Sequence, residues 1–253
     1  PWLDAKNYGM SELSAERKNS EYIKASTVLN AANIVSCPAY EAIRVLESID
    51  HGAHNHKLYE LRHFYDPAEV LPQSGIEDDE KLTLVYGGDI YPGAEVFLAQ
   101  VFDDLRKLKK EFPDLYNRMN IRFFSDSISK INQDVADLEI VSLQPSIGNG
   151  IFEEIAKSDW NIILLSDFNR HFFTTKYFEY EPFGKPYVYM GPEGKVSEEI
   201  QQEHIGLCWS MLLTQLKEQG WKSMKSFKRG RNARSGALAT RTTELLAKMA
   251  EFD

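Results

Sequence analysis

Apolar and polar positions alternate along residues 81–219 in a pattern that predicts strands and helices in turn. Six short apolar runs indicate buried strands, at residues 82–86, 121–125, 139–143, 161–165, 186–190 and 206–209. After the first run, apolar side chains recur at three- and four-residue spacing, which is typical of an amphipathic helix: Phe97, Val101, Leu105, Leu108 and Phe112. A second such set predicts another helix: Ile128, Ile131, Val135 and Leu138. Strands and helices in alternation predict an α/β fold, a doubly wound parallel sheet of about six strands.

The first part of the chain predicts a smaller α/β unit. Helices are expected at 11–29 and 38–49, and strands at 33–37 and 57–64. Residues 66–79 are rich in proline, glycine and acidic side chains, which is typical of a linker. A last helix is expected at 237–252.

Composition and charge exclude some classes of function. The 253 residues carry 29 Lys and Arg against 38 Asp and Glu, a formal charge of −9 that argues against nucleic-acid binding. The basic cluster at 222–234 is interpreted as a solvated surface segment. His51, His54 and His56 lie in a polar turn without a matching ligand set, so no metal is predicted.

Cysteine usage and hydropathy predict a reducing, aqueous compartment. Cys37 and Cys208 are far apart and lie in apolar runs, which indicates free thiols rather than a disulfide. No apolar run approaches the length needed to cross a bilayer, and no signal peptide is visible. We therefore expect a cytoplasmic protein.

Two glycine-containing loops follow predicted strands, where a doubly wound sheet binds its ligands. In 87–93 (GGDIYPG), backbone amides could approach a pyrophosphate, although a plain tight turn explains the glycines equally well. In 142–150 (SLQPSIGNG), the loop could contact a base. The alternative is a helix-entry turn capped by Ser146 or Asn149.

The segment 174–186 (TTKYFEYEPFGKP) follows the most apolar strand. Thr174 or Thr175 is expected to open a short helix whose amides, hydroxyls and Lys176 attract an anion. Glu179, one turn later, could accept hydrogen bonds from ribose hydroxyls. Simple capping by the threonines and an ion pair between Lys176 and Glu179 are the alternatives.

Taken in order, these elements resemble glycosyltransferases of the GT-B fold, in particular the retaining enzymes similar to family 4. The resemblance rests on GGDIYPG, the loop around 145–150, SDWNIILLS and TTKYFEYEPFGKPYVYM, which is similar to a "K-x-x-E-Y-x-x-x-G-K-P" turn. It implies that residues 1–73 are the tail of an acceptor domain and that 74–235 form the complete donor domain. The helix in 236–253 would then pack toward the N-terminal part.

The resemblance also assigns roles to individual residues. It places donor binding on ten of them: Gly87, Gly88, Ser146, Ile147, Asn169, Arg170, Thr174, Thr175, Lys176 and Glu179. Amides of the glycines, the threonines and Lys176 would hold the pyrophosphate, Glu179 the ribose, the 142–150 loop the base, and residues 167–171 the sugar. His171 is the one candidate for a catalytic group. Arg and Lys, which many family members carry after the first glycine loop, are replaced here by residues 91–95 (YPGAE).

The function implied is transfer of a sugar from a nucleotide-diphosphate sugar to a saccharide or lipid-linked acceptor, in surface polysaccharide or glycoconjugate synthesis. No cofactor is expected, and a peripheral membrane contact would come through the N-terminal region. Because the sequence starts at Pro1, we expect a fragment that is inactive by itself. The alternatives are a sugar-nucleotide epimerase of similar architecture and a nucleotide-binding module without catalysis.

Overall fold

The computed structural model describes residues 13–38, 40–49, 51–61, 63, 80–170 and 172–229, together with 243, 246, 247 and 250. The predicted linker at 66–79 and most of the predicted helix at 237–252 lie outside these residues.

The N-terminal part is a small α/β unit, as predicted. Its elements are α1 (Ala15–Ala31), β1 (Val35–Cys37), α2 (Tyr40–Ile49) and β2 (Leu58–Glu60). Ser14 caps α1 by accepting a hydrogen bond from the amide of Arg17 at 3.2 Å. The two strands pair in parallel. Their shared core is small: Leu29, Cys37, Ala42, Ile43 and Leu46.

The main sheet has six strands, each pair parallel, in the order β5-β4-β3-β6-β7-β8. The strands are β3 (Leu82–Gly87), β4 (Met119–Phe124), β5 (Val141–Gln144), β6 (Trp160–Leu164), β7 (Tyr187–Met190) and β8 (Gly206–Cys208). The order reverses between β3 and β6, which is the topological switch point of a doubly wound sheet. The predicted fold class and strand number are therefore confirmed.

Helices cover both faces of this sheet. They are α3 (Glu95–Glu111), α4 (Pro113–Asn117), α5 (Ile151–Lys157), α6 (Thr175–Glu179), α7 (Lys195–Gln202), α8 (Trp209–Gln219) and α9 (Trp221–Lys225). Successive strand residues point to opposite faces, so Tyr86 and Ile162 join the core under α3 and α8. Val85 and Ile163 join the core under α5, α6 and α7.

Two local predictions were wrong. The segment after β4 forms two short 3-10 helices, Ile128–Lys130 and Asn132–Val135, rather than one α-helix. Three of its four apolar residues are nevertheless buried: Ile131, Val135 and Leu138. Arg106 of α3 contacts the segment through two hydrogen bonds of 2.9 Å to Asp137. In α3 the buried face is rotated from the one predicted: Leu98, Val101, Phe102, Leu105 and Leu108.

Candidate functional site

The turn after β3 lies at the switch point and is shaped by two glycines that lack room for a side chain. Gly88 has φ +139°, and a Cβ added there would overlap the end of the Lys176 side chain. A Cβ on Gly87 would overlap the side chain of Ile151. The ammonium end of Lys176 therefore lies over the backbone of Gly88, which brings together two residues assigned to the donor site from the sequence.

The amides of this turn have partners within the protein. The Gly87 N–H donates to the hydroxyl of Tyr180 at 3.1 Å, and the Gly88 N–H donates to the Phe124 carbonyl at 2.9 Å. The prediction that these two amides hold a pyrophosphate is corrected accordingly: the glycines provide space beside Lys176 rather than hydrogen-bond donors.

Helix α6 begins where the sequence predicts, directly after Thr174. Thr174 has the extended backbone of a capping residue, but its side chain makes no capping hydrogen bond. Lys176 and Glu179 are both half-buried. Among the ion pairs of the described residues there is none between Lys176 and Glu179. Neither threonine capping nor an ion pair within the helix therefore accounts for these side chains.

Tyr180 is a residue of this site that sequence reasoning missed. Its side chain is buried, and its hydroxyl also donates to the Gly87 carbonyl at 2.9 Å. Burial raises the pKa of Tyr180 well above its usual range, so the hydroxyl keeps its proton. The "E-Y" pair in the motif was the available signal, but a tyrosine in a helix gives no indication of its partner.

Further buried polar contacts fasten α6 on its other side. The Tyr177 hydroxyl donates to Glu199 at 2.9 Å, and the Tyr187 hydroxyl lies 2.9 Å from the Tyr177 carbonyl. Tyr187 also contacts Glu181, whose carboxylate pairs with Arg229. These contacts fix a helix of five residues, which is too short to be stable by itself.

The loop after β6 lies beside the glycine turn. Ser166 is fully buried, and its Oγ has no hydrogen-bond partner in the described part of the chain. A Cβ on Gly93 would lie 3.5 Å from the Ser166 Cβ, so the two loops are in contact. The Arg170 guanidinium pairs with Asp167 at 3.2 Å, and the Arg170 carbonyl accepts a hydrogen bond from the Lys195 amide at 3.1 Å. Asn169 ends the 3-10 helix Asp167–Asn169, whereas His171 lies outside the described residues.

The loop after β5 is exposed at the same edge. Ser146 and Ile147 are both exposed, and the Ser146 amide donates to the Asp126 carboxylate at 3.2 Å. A short 3-10 helix, Gly148–Gly150, leads into α5 without a side-chain cap. Capping by Ser146 or Asn149 is therefore not what shapes this loop.

The N-terminal part reaches α6 through His63. The His63 ring is tilted against Phe178, with ring centroids 6.2 Å apart. Burial lowers the pKa of His63, and the negative charge of Glu179 opposes that shift. The contact with Phe178 places His63 beside the helix that carries Glu179. Phe172, just before α6, packs against the N-terminal core.

The remaining properties of the described part of the chain concern metal ligands, membrane-spanning helices and disulfides. In the described part of the chain, no group of three or more His, Cys, Asp or Glu side chains is arranged to hold a metal ion. None of the described helices combines the length and the apolar character that a membrane span requires. Cys37 and Cys208 are both free thiols, as predicted.

Solved structures match this chain at the level of the fold. Anabaena HepE, solved in complex with UDP-glucose, gives a TM-score of 0.62 at 12% identity, covering 91% of this chain and 68% of HepE. S. aureus TarM gives 0.60 at 15% identity, covering 93% of this chain and 46% of TarM. A glycosyltransferase from Rickettsia africae gives 0.58 at 13%, covering 87% of this chain and 63% of that protein.

No protein-family model matches the sequence, and neither does any curated protein. The structural neighbours include GT-B glycosyltransferases, so the predicted resemblance is confirmed for the fold: this chain has the GT-B architecture. It spans between about half and two thirds of the length of the three structures.

Proposed function

We propose that this chain carries the nucleotide-sugar-binding part of a retaining glycosyltransferase similar to family 4. The observation that carries the proposal is the contact between Lys176 and Gly88 at the switch point, with Glu179 one turn further along α6. Residues 74–235 would form the donor domain, and residues 1–73 the end of an acceptor domain. The fold supports this assignment because HepE is solved with UDP-glucose.

In this proposal Lys176 and the Thr174 and Thr175 hydroxyls bind the diphosphate of the donor. The half-buried ammonium gains strength as a hydrogen-bond donor because the site has a lower dielectric than water. When a nucleoside diphosphate leaves the sugar, negative charge develops on its phosphate oxygens. A fixed cation there lowers the barrier.

Glu179 would accept hydrogen bonds from the ribose hydroxyls, and Ser146 and Ile147 would contact the base. Ser146 and Ile147 lie on the loop after β5, and both are exposed. Asn169 and Arg170, on the loop after β6, would contact the sugar. His171 stays a candidate for a catalytic role.

The acceptor, a saccharide or a lipid-linked saccharide, would bind between this domain and N-terminal residues. A pathway of surface polysaccharide or glycoconjugate synthesis follows from the resemblance.

Calorimetric titration with UDP, GDP and ADP tests the donor site. We expect at least one diphosphate to bind, and Glu179→Gln to weaken the binding of both the diphosphate and its nucleoside. Glu203→Gln is the matched control, because Glu203 lies at the end of α7 and outside the proposed site. Failure of all three nucleotides to bind, or equal effects of the two substitutions, would contradict the proposal.

Product analysis with a nucleotide sugar then separates transfer from epimerisation. Transfer requires an acceptor and yields a glycosylated product together with the nucleoside diphosphate. An epimer of the sugar formed without any dependence on acceptor would replace the transferase proposal by the epimerase alternative.

A further inference from the structure

Helix α6 contacts the glycine turn at two points, one turn apart. Lys176 lies over Gly88, and Tyr180 is bonded to both backbone groups of Gly87. Residues four apart share one face of a helix, and the Tyr180 amide indeed donates to the Lys176 carbonyl at 3.0 Å. The same helical face therefore presents one side chain to each of the two glycines.

The two contacts differ in their surroundings. Lys176 is half-buried and faces the proposed site, whereas Tyr180 is buried behind the turn. The Tyr180 hydroxyl donates to the Gly87 carbonyl and accepts from the Gly87 amide, so it uses its single proton and one lone pair on one residue. In a buried position no water can replace these bonds, so their geometry is strongly enforced.

We propose that Tyr180 is a positioning residue that fixes the rotation and height of α6 against the glycine turn. In this proposal Tyr180 does not contact the nucleotide itself. Glu179 precedes it directly, so a rotation of the helix about its axis would move Glu179 and Lys176 together. Nucleotide binding would then depend on the Tyr180 hydroxyl through two side chains that do contact the ligand. This inference rests on the proposed donor site, because the side chains it positions are those assigned to the diphosphate and the ribose.

Tyr180→Phe removes the hydroxyl and leaves the ring. We expect the affinity for the nucleoside diphosphate that binds most tightly to wild type to fall roughly tenfold, with a similar fall for the free nucleoside. Tyr116→Phe is the matched control: Tyr116 is also buried and also hydrogen bonded, to Glu139 at 3.1 Å, but it lies in α4, before the amino end of β4. The control should leave both affinities unchanged.

A double substitution separates positioning from a general loss of stability. If Tyr180 acts through Lys176, then Tyr180→Phe should weaken diphosphate binding less in a Lys176→Met background than in wild type. Full additivity, or an unchanged affinity in Tyr180→Phe, would overturn the proposal. An equal loss in Tyr116→Phe would also overturn it, since the effect would then follow from stability alone.

Amide hydrogen exchange in the ligand-free protein provides a readout that does not depend on nucleotide binding. We expect faster exchange at Gly87 and across α6 in Tyr180→Phe, and no change there in Tyr116→Phe. Unchanged exchange at Gly87 would overturn the positioning role. If wild type binds none of the nucleotides while exchange responds as expected, the proposed donor site fails and the coupling of α6 to the turn stands.

Discussion

Ser158 and Ser166 lie at opposite ends of strand β6, and both are fully buried. The Ser158 Oγ lies 2.9 Å from the Ile155 carbonyl and 2.8 Å from the side-chain amide of Asn161. The Ser166 Oγ has no partner among the described residues. A buried serine is therefore hydrogen bonded at the amino edge of the sheet, where the strands begin, and unpaired among the described residues at the carboxyl edge, where they end.

The amino edge, where the parallel strands begin, carries several buried polar contacts, although Asn161 Nδ2 has no hydrogen-bond partner among the described residues. The Asp159 carboxylate accepts the Thr83 amide at 2.8 Å and lies 3.6 Å from the Lys225 ammonium. The Trp160 indole donates to the Met224 carbonyl at 3.0 Å. These contacts join strands and helices that are distant in sequence, so this edge stabilises the fold.

The carboxyl edge keeps polar groups available. Lys176 and Glu179 are not paired with each other in the described structure, and Ser166 is buried without a hydrogen bond. A buried polar group without a partner costs free energy, and such a group in a native protein calls for a reason. The following substitutions test the contrast between the two edges.

The largest effect on stability is expected at the amino edge from Arg229→Met. Arg229 pairs with Glu181, and its guanidinium lies 4.9 Å from the centroid of the Tyr187 ring at the start of β7. The substitution removes one partner of a buried ion pair, so unfolding in urea should show a loss of about 3–5 kcal/mol. Arg106→Met, which removes an exposed arginine, should cost about 1 kcal/mol or less. Equal losses would contradict the buried network.

Two lysines of one motif provide the next contrast. Lys176 lies at the carboxyl edge over Gly88, whereas Lys185 lies at the amino edge, where Asp159 opposes the lowering of its pKa by burial. Lys176→Met should weaken binding of a nucleoside diphosphate by roughly 10- to 100-fold, the value of a hydrogen bond from a charged group. Lys185→Met should leave affinity unchanged in the same titration. A comparable loss in both would show that the motif acts only through stability.

Substitution by alanine should destabilise the protein at Ser158 but not at Ser166. Ser158→Ala removes hydrogen bonds and should cost about 1–2 kcal/mol of unfolding free energy. Ser166→Ala removes an unpaired hydroxyl and should be neutral or stabilising by about 1 kcal/mol. Thermal and urea unfolding of the two variants measure this difference. A clear loss of stability in Ser166→Ala would mean that its hydroxyl has a partner after all.

The smallest effect is a pH dependence at Asp159. Burial raises the pKa of Asp159, with the Thr83 amide and Lys225 opposing the shift. A carboxyl with a higher pKa in the folded state loses its stabilising contribution as the pH rises through that pKa. Asp159→Asn cannot ionise, so its stability relative to wild type should increase as the pH rises above about 3.9, the ordinary carboxyl pKa.

Asp137→Asn is the matched control for this pH dependence. The hydrogen bond from Arg106 lowers the pKa of Asp137, so the ionised form is favoured in the folded protein. Relative to wild type, this variant should lose stability as the pH rises toward about 3.9, which is below the range in which Asp159→Asn responds. Parallel curves for the two variants would contradict the assigned directions.

Much of this fold follows from local patterns. Short apolar runs such as 82–86 and 161–165 are long enough for a strand and too short for a buried helix, and both form strands of the main sheet. The alternation with helices then requires parallel strands, and the loops after them are placed at one edge. The start of α6 at Thr175 was also predicted, because two threonines precede a helical apolar spacing.

Other features depend on neighbours that periodicity does not reveal. The apolar spacing of 128–138 is satisfied by two 3-10 helices, and Arg106 of a separate helix bonds to this segment at Asp137. Ser166 and Ser158 have equivalent positions in the pattern, yet their partners come from the packing around β6.

The sequence by itself determined the alternation of elements, the glycine turn after β3 and the helix that carries Lys176 and Glu179, since each depends on residues close in the chain. The tertiary structure decided what these elements do together. The strand order places α6 against the glycine turn. There the Tyr180 hydroxyl accepts a hydrogen bond from the Gly87 amide, and Lys176 occupies the space beside Gly88. Hydrogen bonds between residues so distant in sequence are set by the packing of the sheet, and no local pattern encodes them.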